Sequence, residues 1–212
     1  MVDVREPVTR AEARSAAPCP RLRASDECTL IVNPTDVVAD RHRFRNLGAV
    51  ILPRLLSEHS PLRVWSAGCS LVFEPYSLAW MLAEQAPGEP HFILATDADE
   101  RMLRLVQSRA SWPANAGRAF GQAQGAVRSM LRFSRQDLLT DSRPAGPFDL
   151  VLYRDALSSF AEDARGAVYR RLAAVLRSGG VLLLGATARV SEPASMDLSP
   201  FGPGLYRKVS AA

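Results

Sequence analysis

Cysteine is scarce and widely spaced in this 212-residue chain. Cys19, Cys28 and Cys69 form no Cys-x-x-Cys pair, which excludes the usual spacing of a zinc site. Three distant cysteines also argue against structural disulfides and favour a reducing compartment, so we expect a cytoplasmic protein. No apolar run approaches the roughly 20 residues of a membrane-spanning helix, and the first 15 residues contain no apolar signal core.

Lysine is nearly absent, since Lys208 is the only one and arginine supplies the other side-chain positive charges. The formal net charge is only +4, and the arginines are scattered along the chain. A nucleic-acid-binding surface would concentrate its basic residues on one face. The charge pattern therefore argues against nucleic-acid binding, and the lack of a long apolar run argues against membrane insertion.

Residues 1–28 are rich in Ala, Arg, Pro and Ser and show no sustained apolar period. This composition predicts a mobile N-terminal tail. Residues 29–212 contain the apolar segments and are long enough for one domain with its own core.

Helical and strand-like apolar patterns alternate beyond residue 40. Helices are predicted over residues 41–57, 75–85, 100–110 and 164–176. Strands are predicted over residues 62–68, 91–97, 130–137, 148–155, 181–187 and 204–210. Such alternation is typical of an α/β fold with a doubly wound, mostly parallel sheet, and the last strand, which follows no crossover helix, is expected to be antiparallel.

Four local features qualify these predictions. Pro53 is expected to kink or shorten the first helix. Ser178-Gly179-Gly180 is expected to end the last helix and begin a turn. The Gly/Pro-rich stretch 199–204 is expected to be a turn, and the weakly patterned stretch 111–128 an irregular loop or a short extra helix.

The ends of four predicted strands carry residues suited to a ligand, which in open α/β sheets binds beyond the carboxyl ends of the strands. The small residues Ser66, Ala67 and Gly68 would let a ligand approach the backbone. Asp97 could accept hydrogen bonds from two ribose hydroxyls. The third strand ends in Gln136, Asp137 and Leu138, suited to an adenine edge, and the fourth in Arg154, Asp155 and Ala156, beside the reacting end of a cofactor.

Simpler interpretations exist for each of these residues. Gly68 could be only a turn residue, Asp97 only the N-cap of the following helix, and Asp137 and Asp155 only solvated loop acids. A nicotinamide dinucleotide is disfavoured, because the full Gly-x-Gly-x-x-Gly pattern is absent.

Several of these segments together resemble the CheR-type chemotaxis receptor methyltransferases, which use S-adenosylmethionine to methylate glutamate side chains. "LRVWSAGCS" followed by "EPYSLA" is similar to that family's signature, and "ILATDAD" to its second-strand acidic segment. "FDLVLYRDALSSF" resembles a stretch that usually reads Cys-Arg-Asn, then apolar residues, then Tyr-Phe. "VLRSGGVLLLGAT" and "LYRK" resemble the strands that close the domain, and the resemblance extends from about Asn33 to Lys208.

The resemblance implies a Rossmann-like, S-adenosyl-L-methionine-dependent transferase. It assigns Asn33 and Thr35 to the cofactor and places Glu74 at the cofactor's amino group. Together with the strand ends, the cofactor-binding residues are then expected to be Asn33, Thr35, Ser66, Ala67, Gly68, Glu74, Asp97, Asp137, Leu138, Asp155 and Ala156. No catalytic residue and no metal ligand is assigned.

This chain departs from the family pattern at several positions. An arginine thought to act near the transferred methyl is replaced by Ala39, and the tyrosine of Tyr-Phe by Ser159. The family's Thr-Gly-Glu becomes residues 71–73, Leu-Val-Phe. If these side chains enter the cofactor slot they block it, and if they pack against the next helix the slot stays open. Retention of Glu74 favours the open slot, because a closed one would leave that carboxylate without an obvious partner.

From this resemblance we expect no room for the family's N-terminal helical domain in the first 30 or so residues, and we expect its small receptor-binding subdomain to shrink to residues 111–128. The sequence therefore predicts a CheR-like methyltransferase that O-methylates a protein carboxylate or another oxygen acceptor, which could be a small molecule, rather than a standard receptor tail. The alternative is an inactive methyltransferase fold that serves as a binding or regulatory module. Base methylation of nucleic acid is disfavoured, because "YRDA" does not match the Asp/Asn-Pro-Pro-aromatic stretch that it would need.

Overall fold

The computed structural model describes residues 41–69, 74–108, 125–154, 162–185 and 188–210. The helices are α1 (Arg41–Asn46), a π-helical segment (Leu47–Ile51), α2 (Leu52–Glu58), α3 (Glu74–Gln85), α4 (Glu100–Ser108), α5 (125–130), α6 (Glu162–Ala174) and a 3₁₀ turn (Pro193–Met196). The strands are β1 (Arg63–Ala67), β2 (Phe92–Asp97), β3 (Leu131–Arg135), β4 (Phe148–Tyr153), β5 (Leu176–Leu184), β6 (Leu198–Gly202) and β7 (Leu205–Lys208). Within these ranges no helix is both long and apolar enough to cross a membrane.

The seven strands form one sheet in the order β3-β2-β1-β4-β5-β7-β6. β1 lies at the centre of the parallel part and pairs with β2 on one side and β4 on the other. β7 pairs antiparallel with β5, so the predicted orientation of the last strand is confirmed. Strands β1 to β4 pair in parallel, so their carboxyl ends lie at the same end of the sheet. Open α/β proteins bind their ligands beyond this end.

Helices cover both faces of the sheet, each over its own apolar core. Side chains of β4 alternate between these cores: Leu150 and Leu152 pack with α1, α2 and α3, whereas Val151 and Tyr153 pack with α6. This alternation follows from the two-residue period of a strand, and all six residues of β4 are buried.

The first predicted helix contains a π-helical segment just before Pro53. The N–H of Leu52 bonds to the carbonyl of Leu47, which is the spacing of a π-helix. Pro53 has no N–H to continue that ladder to Gly48. Instead, the Nε2 of Gln85 on α3 donates to the Gly48 carbonyl at 2.7 Å. The amide of Gln85 thereby satisfies the backbone group that proline leaves free and ties this helix to α3.

Two predictions for the C-terminal part were wrong. Ser178-Gly179-Gly180 neither ends a helix nor forms a separate turn, because α6 ends at Ala174 and the glycines lie inside β5. There the pairing jumps from Phe148↔Leu176 to Leu150↔Val181, so the extra residues form a bulge, with Gly179 at a φ of 79°. Of the stretch 199–204, which was expected to be a turn, residues 199–202 belong to strand β6 and only residues 203–204 form a turn. Pro200 is tolerated there because β6 is an edge strand.

Candidate functional site

The first turn of the site follows β1 and depends on a glycine. Gly68 has a φ of 61°, a left-handed conformation that residues with a Cβ adopt at a cost. The next residue, Cys69, donates its N–H to the carbonyl of Thr96 at 2.9 Å, which fixes this turn against the end of β2. The small residues predicted at this turn, Ser66, Ala67 and Gly68, thus lie at the central strand end.

A buried ion pair lies beside this turn. Glu74 is the first residue of α3, and Arg154 follows the last residue of β4. The Nε of Arg154 donates to the Oε2 of Glu74 at 2.6 Å, and Nη2 lies 2.6 Å from the same oxygen. The side chain of Glu74 is only 7% exposed and that of Arg154 only 3% exposed. Each charge therefore depends on the other, because water cannot solvate it. The hydroxyl of Ser66 donates to the other carboxylate oxygen of Glu74 at 3.4 Å.

Arg154 is held at two further points, its guanidinium and its backbone. The central carbon of the guanidinium lies 5.2 Å from the ring centre of Phe44 on α1, within the range of a cation–π contact. Its backbone carbonyl lies against Gly185, where any Cβ would overlap the oxygen. Within the described part of the chain, the Nη1 of Arg154 is buried and has no hydrogen-bond acceptor. An oriented guanidinium with an unused N–H is suited to a carboxylate.

Asp97 ends β2 at the expected position, beside the turn after β1. Its Oδ1 accepts the N–H of Asp99 at 2.9 Å. The N-cap role belongs to Asp99, whose Oδ1 accepts the N–H groups of Arg101 and Met102 at 2.8 and 3.4 Å. The interpretation of Asp97 as the cap of α4 is therefore wrong, because the carboxylate two residues later serves that purpose.

The segment after β3 forms a tight turn of hydrogen-bonded acids. Asp137 accepts the N–H of Leu139 at 2.8 Å and donates its own N–H to Asp141 at 2.9 Å. The Nε2 of Gln136 donates to the Ser142 carbonyl at 2.8 Å. Leu138 is buried in the core beneath α6. Asp137 thus lies just beyond the carboxyl end of β3, and the contacts of Gln136 and Leu138 hold the turn in place.

The described residues do not include every predicted site residue. Asn33, Thr35, Asp155 and Ala156 lie outside them, as do residues 71–73 and the substituted positions Ala39 and Ser159. The structure brings together Ser66, Gly68, Glu74 and Asp97 at the carboxyl ends of β1 and β2.

Comparison with known proteins gives the family. Residues 33–200 match the family of the CheR methyltransferase, SAM binding domain. A chemotaxis protein methyltransferase of Listeria monocytogenes is 34% identical over 196 residues, which cover 84% of this chain and 74% of the relative. Chemotaxis protein methyltransferase 1 of Vibrio cholerae is 28% identical over 210 residues, covering 89% of this chain and 76% of the relative.

The chain belongs to the CheR methyltransferase family. It is a CheR-type, S-adenosylmethionine-dependent methyltransferase, as the sequence predicted. Among solved structures, the CMeT domain of the citrinin polyketide synthase is similar with a TM-score of 0.51 at 16% identity, covering 70% of this chain and 36% of that one. That likeness concerns the fold alone and agrees with the predicted Rossmann-like class.

The donor set at the strand ends suits the parts of S-adenosylmethionine. Its amino-acid end carries an ammonium and a carboxylate, which match the Glu74 carboxylate and the unused N–H of Arg154. Its ribose carries two hydroxyls, which match the carboxylate of Asp97. Gly68, whose φ of 61° favours glycine, leaves this turn without a Cβ.

The sequence placed Arg154 at the fourth strand end but did not include it among the cofactor-binding residues or pair it with Glu74. The signal was present, because the family stretch Cys-Arg-Asn retains its arginine at this position. The argument that a closed slot would leave Glu74 without a partner was wrong, since Arg154 and Ser66 both bind its carboxylate.

Proposed function

We propose that this chain transfers the methyl group of S-adenosylmethionine to a carboxylate of a protein acceptor. The observation that carries the proposal is the paired Glu74 and Arg154 at the carboxyl end of the sheet, in a chain of the CheR family. Relatives named chemotaxis protein methyltransferase support a protein as the acceptor.

The residues are assigned by their chemistry. Glu74 holds the ammonium of the cofactor, Arg154 its carboxylate, and Asp97 its ribose hydroxyls. Asp137 and the backbone at Leu138 contact the adenine edge, with Asn33, Thr35, Asp155 and Ala156 contributing from the flanking segments. When bound, S-adenosylmethionine supplies a methyl group already activated on a sulfonium, so the protein mainly positions the acceptor in line with it.

Two titratable groups of the described site, Cys69 and Glu74, are unsuited to act as a general base, which favours an acceptor that is already ionised. Burial, reinforced by the charges of Asp97 and Glu74, raises the pKa of the Cys69 thiol to about 12. Glu74 is committed to its ion pair with Arg154. Neither group is suited to remove a proton from a neutral alcohol, whereas a carboxylate is ionised at neutral pH and needs no general base.

The acceptor class is tested by the stability of the methylated product. The protein is incubated with methyl-tritiated S-adenosylmethionine and glutamate-containing peptides, with matched glutamine peptides as the control. A methyl ester releases volatile tritiated methanol in mild alkali, so we expect labelled glutamate peptides whose label is released by base. Label that resists alkali, or that is equal on the glutamine peptides, would contradict a carboxylate acceptor.

The cofactor assignment is tested separately by calorimetric titration with S-adenosylhomocysteine. We expect the wild type to bind, and Val72→Gly to leave the dissociation constant unchanged within about twofold. If only Val72→Gly binds, residues 71–73 fill the slot and the wild type cannot use the cofactor.

A further inference from the structure

Tyr153 carries a buried hydroxyl with no hydrogen-bond partner among the described residues. It is the last residue of β4, its side chain is 1% exposed, and the structure places no hydrogen-bond partner for its hydroxyl among the described residues. Buried hydroxyls are normally paired, so an unpaired one calls for an explanation.

Two other polar side chains of the same core have hydrogen-bond partners. The indole N–H of Trp65 donates to the Thr96 hydroxyl at 3.0 Å. The hydroxyl of Tyr206 accepts the N–H of Val190 at 3.0 Å. Among the described residues, the hydroxyl of Tyr153 and the neighbouring Gln136 Oε1 and Arg154 Nη1 are buried without a hydrogen-bond partner at the end of this core nearest the site.

The position of Tyr153 in the sheet places it next to the nucleoside-binding residues. β4 pairs with β1 through Leu152↔Ser66, so Tyr153 lies level with Ala67, which precedes the Gly68 turn. Ala67 in turn pairs with Thr96, the residue before Asp97. Tyr153 and Leu138 also belong to the same core cluster. The side chain thus lies among the strand ends that carry the residues assigned to ribose and adenine.

The electrostatics of the hydroxyl make it a donor. Burial raises the pKa of Tyr153, and the nearby Tyr169 and the negative charge of Asp97 raise it further. The phenol therefore stays protonated at any physiological pH. A protonated hydroxyl without a protein acceptor, close to a carboxylate that accepts ribose hydroxyls, is suited to an oxygen or nitrogen of the nucleoside.

We propose that Tyr153 positions the cofactor by donating a hydrogen bond from its hydroxyl to the nucleoside half of S-adenosylmethionine. This inference rests on the proposed cofactor site. It concerns a feature of this chain in particular, since the similar family stretch usually begins with cysteine at this position.

The test compares Tyr153→Phe with Tyr206→Phe, which removes a hydroxyl that has a protein partner. Dissociation constants are measured by calorimetry for S-adenosylhomocysteine and for 5′-methylthioadenosine, which lacks the amino-acid end, and melting temperatures are measured without ligand. We expect Tyr153→Phe to weaken both ligands about tenfold, as for one lost hydrogen bond, without lowering the melting temperature. Tyr206→Phe should lower the melting temperature and leave both affinities within about twofold.

The results separate this inference from the proposed function. If the wild type binds neither ligand, the proposed cofactor site is wrong and the role of Tyr153 falls with it. If the wild type binds and Tyr153→Phe binds equally well, only the role of Tyr153 is overturned. It is also overturned if Tyr153→Phe weakens S-adenosylhomocysteine alone, or if it lowers the melting temperature as much as Tyr206→Phe.

Discussion

Glu74 and Arg154, separated by 80 residues in the chain, form a buried ion pair with the arginine Nε 2.6 Å from the carboxylate Oε2. The pair joins the start of α3 to the end of β4, and Phe44 packs against its guanidinium. Because both side chains are nearly inaccessible to water, each charge is stabilised mainly by the other. The same two groups are assigned to the cofactor, so fold and site share one interaction.

Removing one partner of this pair should be costly. Arg154→Met leaves an uncompensated carboxylate in the interior, and we expect the free energy of unfolding to fall by about 3–5 kcal/mol. Combining it with Glu74→Gln should cost less than the sum of the two single changes, because no lone charge remains. Urea denaturation measures the stability of all three variants.

The exposed pair of Arg104 and Glu100 is the control, and Arg104→Met should change stability by no more than about 1 kcal/mol. Additive effects at Glu74 and Arg154 would show that the two charges are not coupled.

Asp97 and Asp99 should separate binding from stability. Asp97→Ala removes a charged acceptor of the ribose, which is worth about 1.5–3 kcal/mol, so the affinity for S-adenosylhomocysteine should fall roughly tenfold or more. Asp99→Ala removes the N-cap of α4 and should cost about 1 kcal/mol of stability with little change in affinity. Calorimetry and thermal denaturation of both variants check this. An unchanged affinity for Asp97→Ala would mean that another acid holds the ribose.

Most of the sheet was predictable because its signals are local. Buried strands such as Arg63–Ala67 and Phe148–Tyr153 are short apolar runs, and the small residues that follow β1 mark its end. Edge strand β6 was missed because Pro200 and Gly202 are turn formers by local chemistry. Only its position at the edge, which the sequence does not state, makes proline acceptable there. The bulge at Gly179 was missed for a similar reason. Glycine is common in both bulges and turns, so the sequence alone does not distinguish them.

The site was predictable in part. Gly68 and Asp97 are the last residues of two predicted strands, so their meeting at the carboxyl ends of the sheet follows from parallel pairing. The Glu74–Arg154 pair was not predictable from spacing, because nothing in the sequence states which buried carboxylate meets which arginine. The capping role of Asp99 was missed because two acids follow the same strand, and only the helix start decides between them.

Gly185 should be intolerant of a side chain, because a Cβ there would overlap the backbone carbonyl of Arg154. Backbone atoms cannot rotate away, so Gly185→Ala should displace Arg154 and lower both the melting temperature and the affinity for S-adenosylhomocysteine. Gly166 in α6 is the matched control, since its Cβ would meet only the Nη1 of Arg170 at 3.8 Å. Gly166→Ala should stabilise the protein by about 0.5–1 kcal/mol and leave binding unchanged. A neutral Gly185→Ala would contradict the close packing of β5 on the site.

His91 makes the stability of the fold depend on pH, although it lies at the opposite end of β2 from the site. Its Nδ1 accepts the N–H of Leu62 at 2.9 Å, and the side chain is buried. Burial lowers the pKa of His91 below its usual 6.5, against the opposing influence of Glu89, the backbone of Ala86 and Asp149. At pH 7.5 the imidazole is neutral in both the folded and the unfolded state. At pH 5.5 the unfolded chain binds a proton that the folded protein resists, so the free energy of unfolding falls as the pH decreases through 6.5.

We expect the wild type to be less stable at pH 5.5 than at pH 7.5, because the unfolded chain then binds a proton that the buried His91 resists. His91→Asn provides the control, because the Oδ1 of asparagine can accept the Leu62 N–H and does not titrate. Urea midpoints at the two pH values should therefore differ less for His91→Asn than for the wild type. An equal difference in the two proteins would assign the pH dependence to other groups. Affinity for S-adenosylhomocysteine at pH 7.5 should be the same for both, because His91 lies away from the strand ends that carry the site.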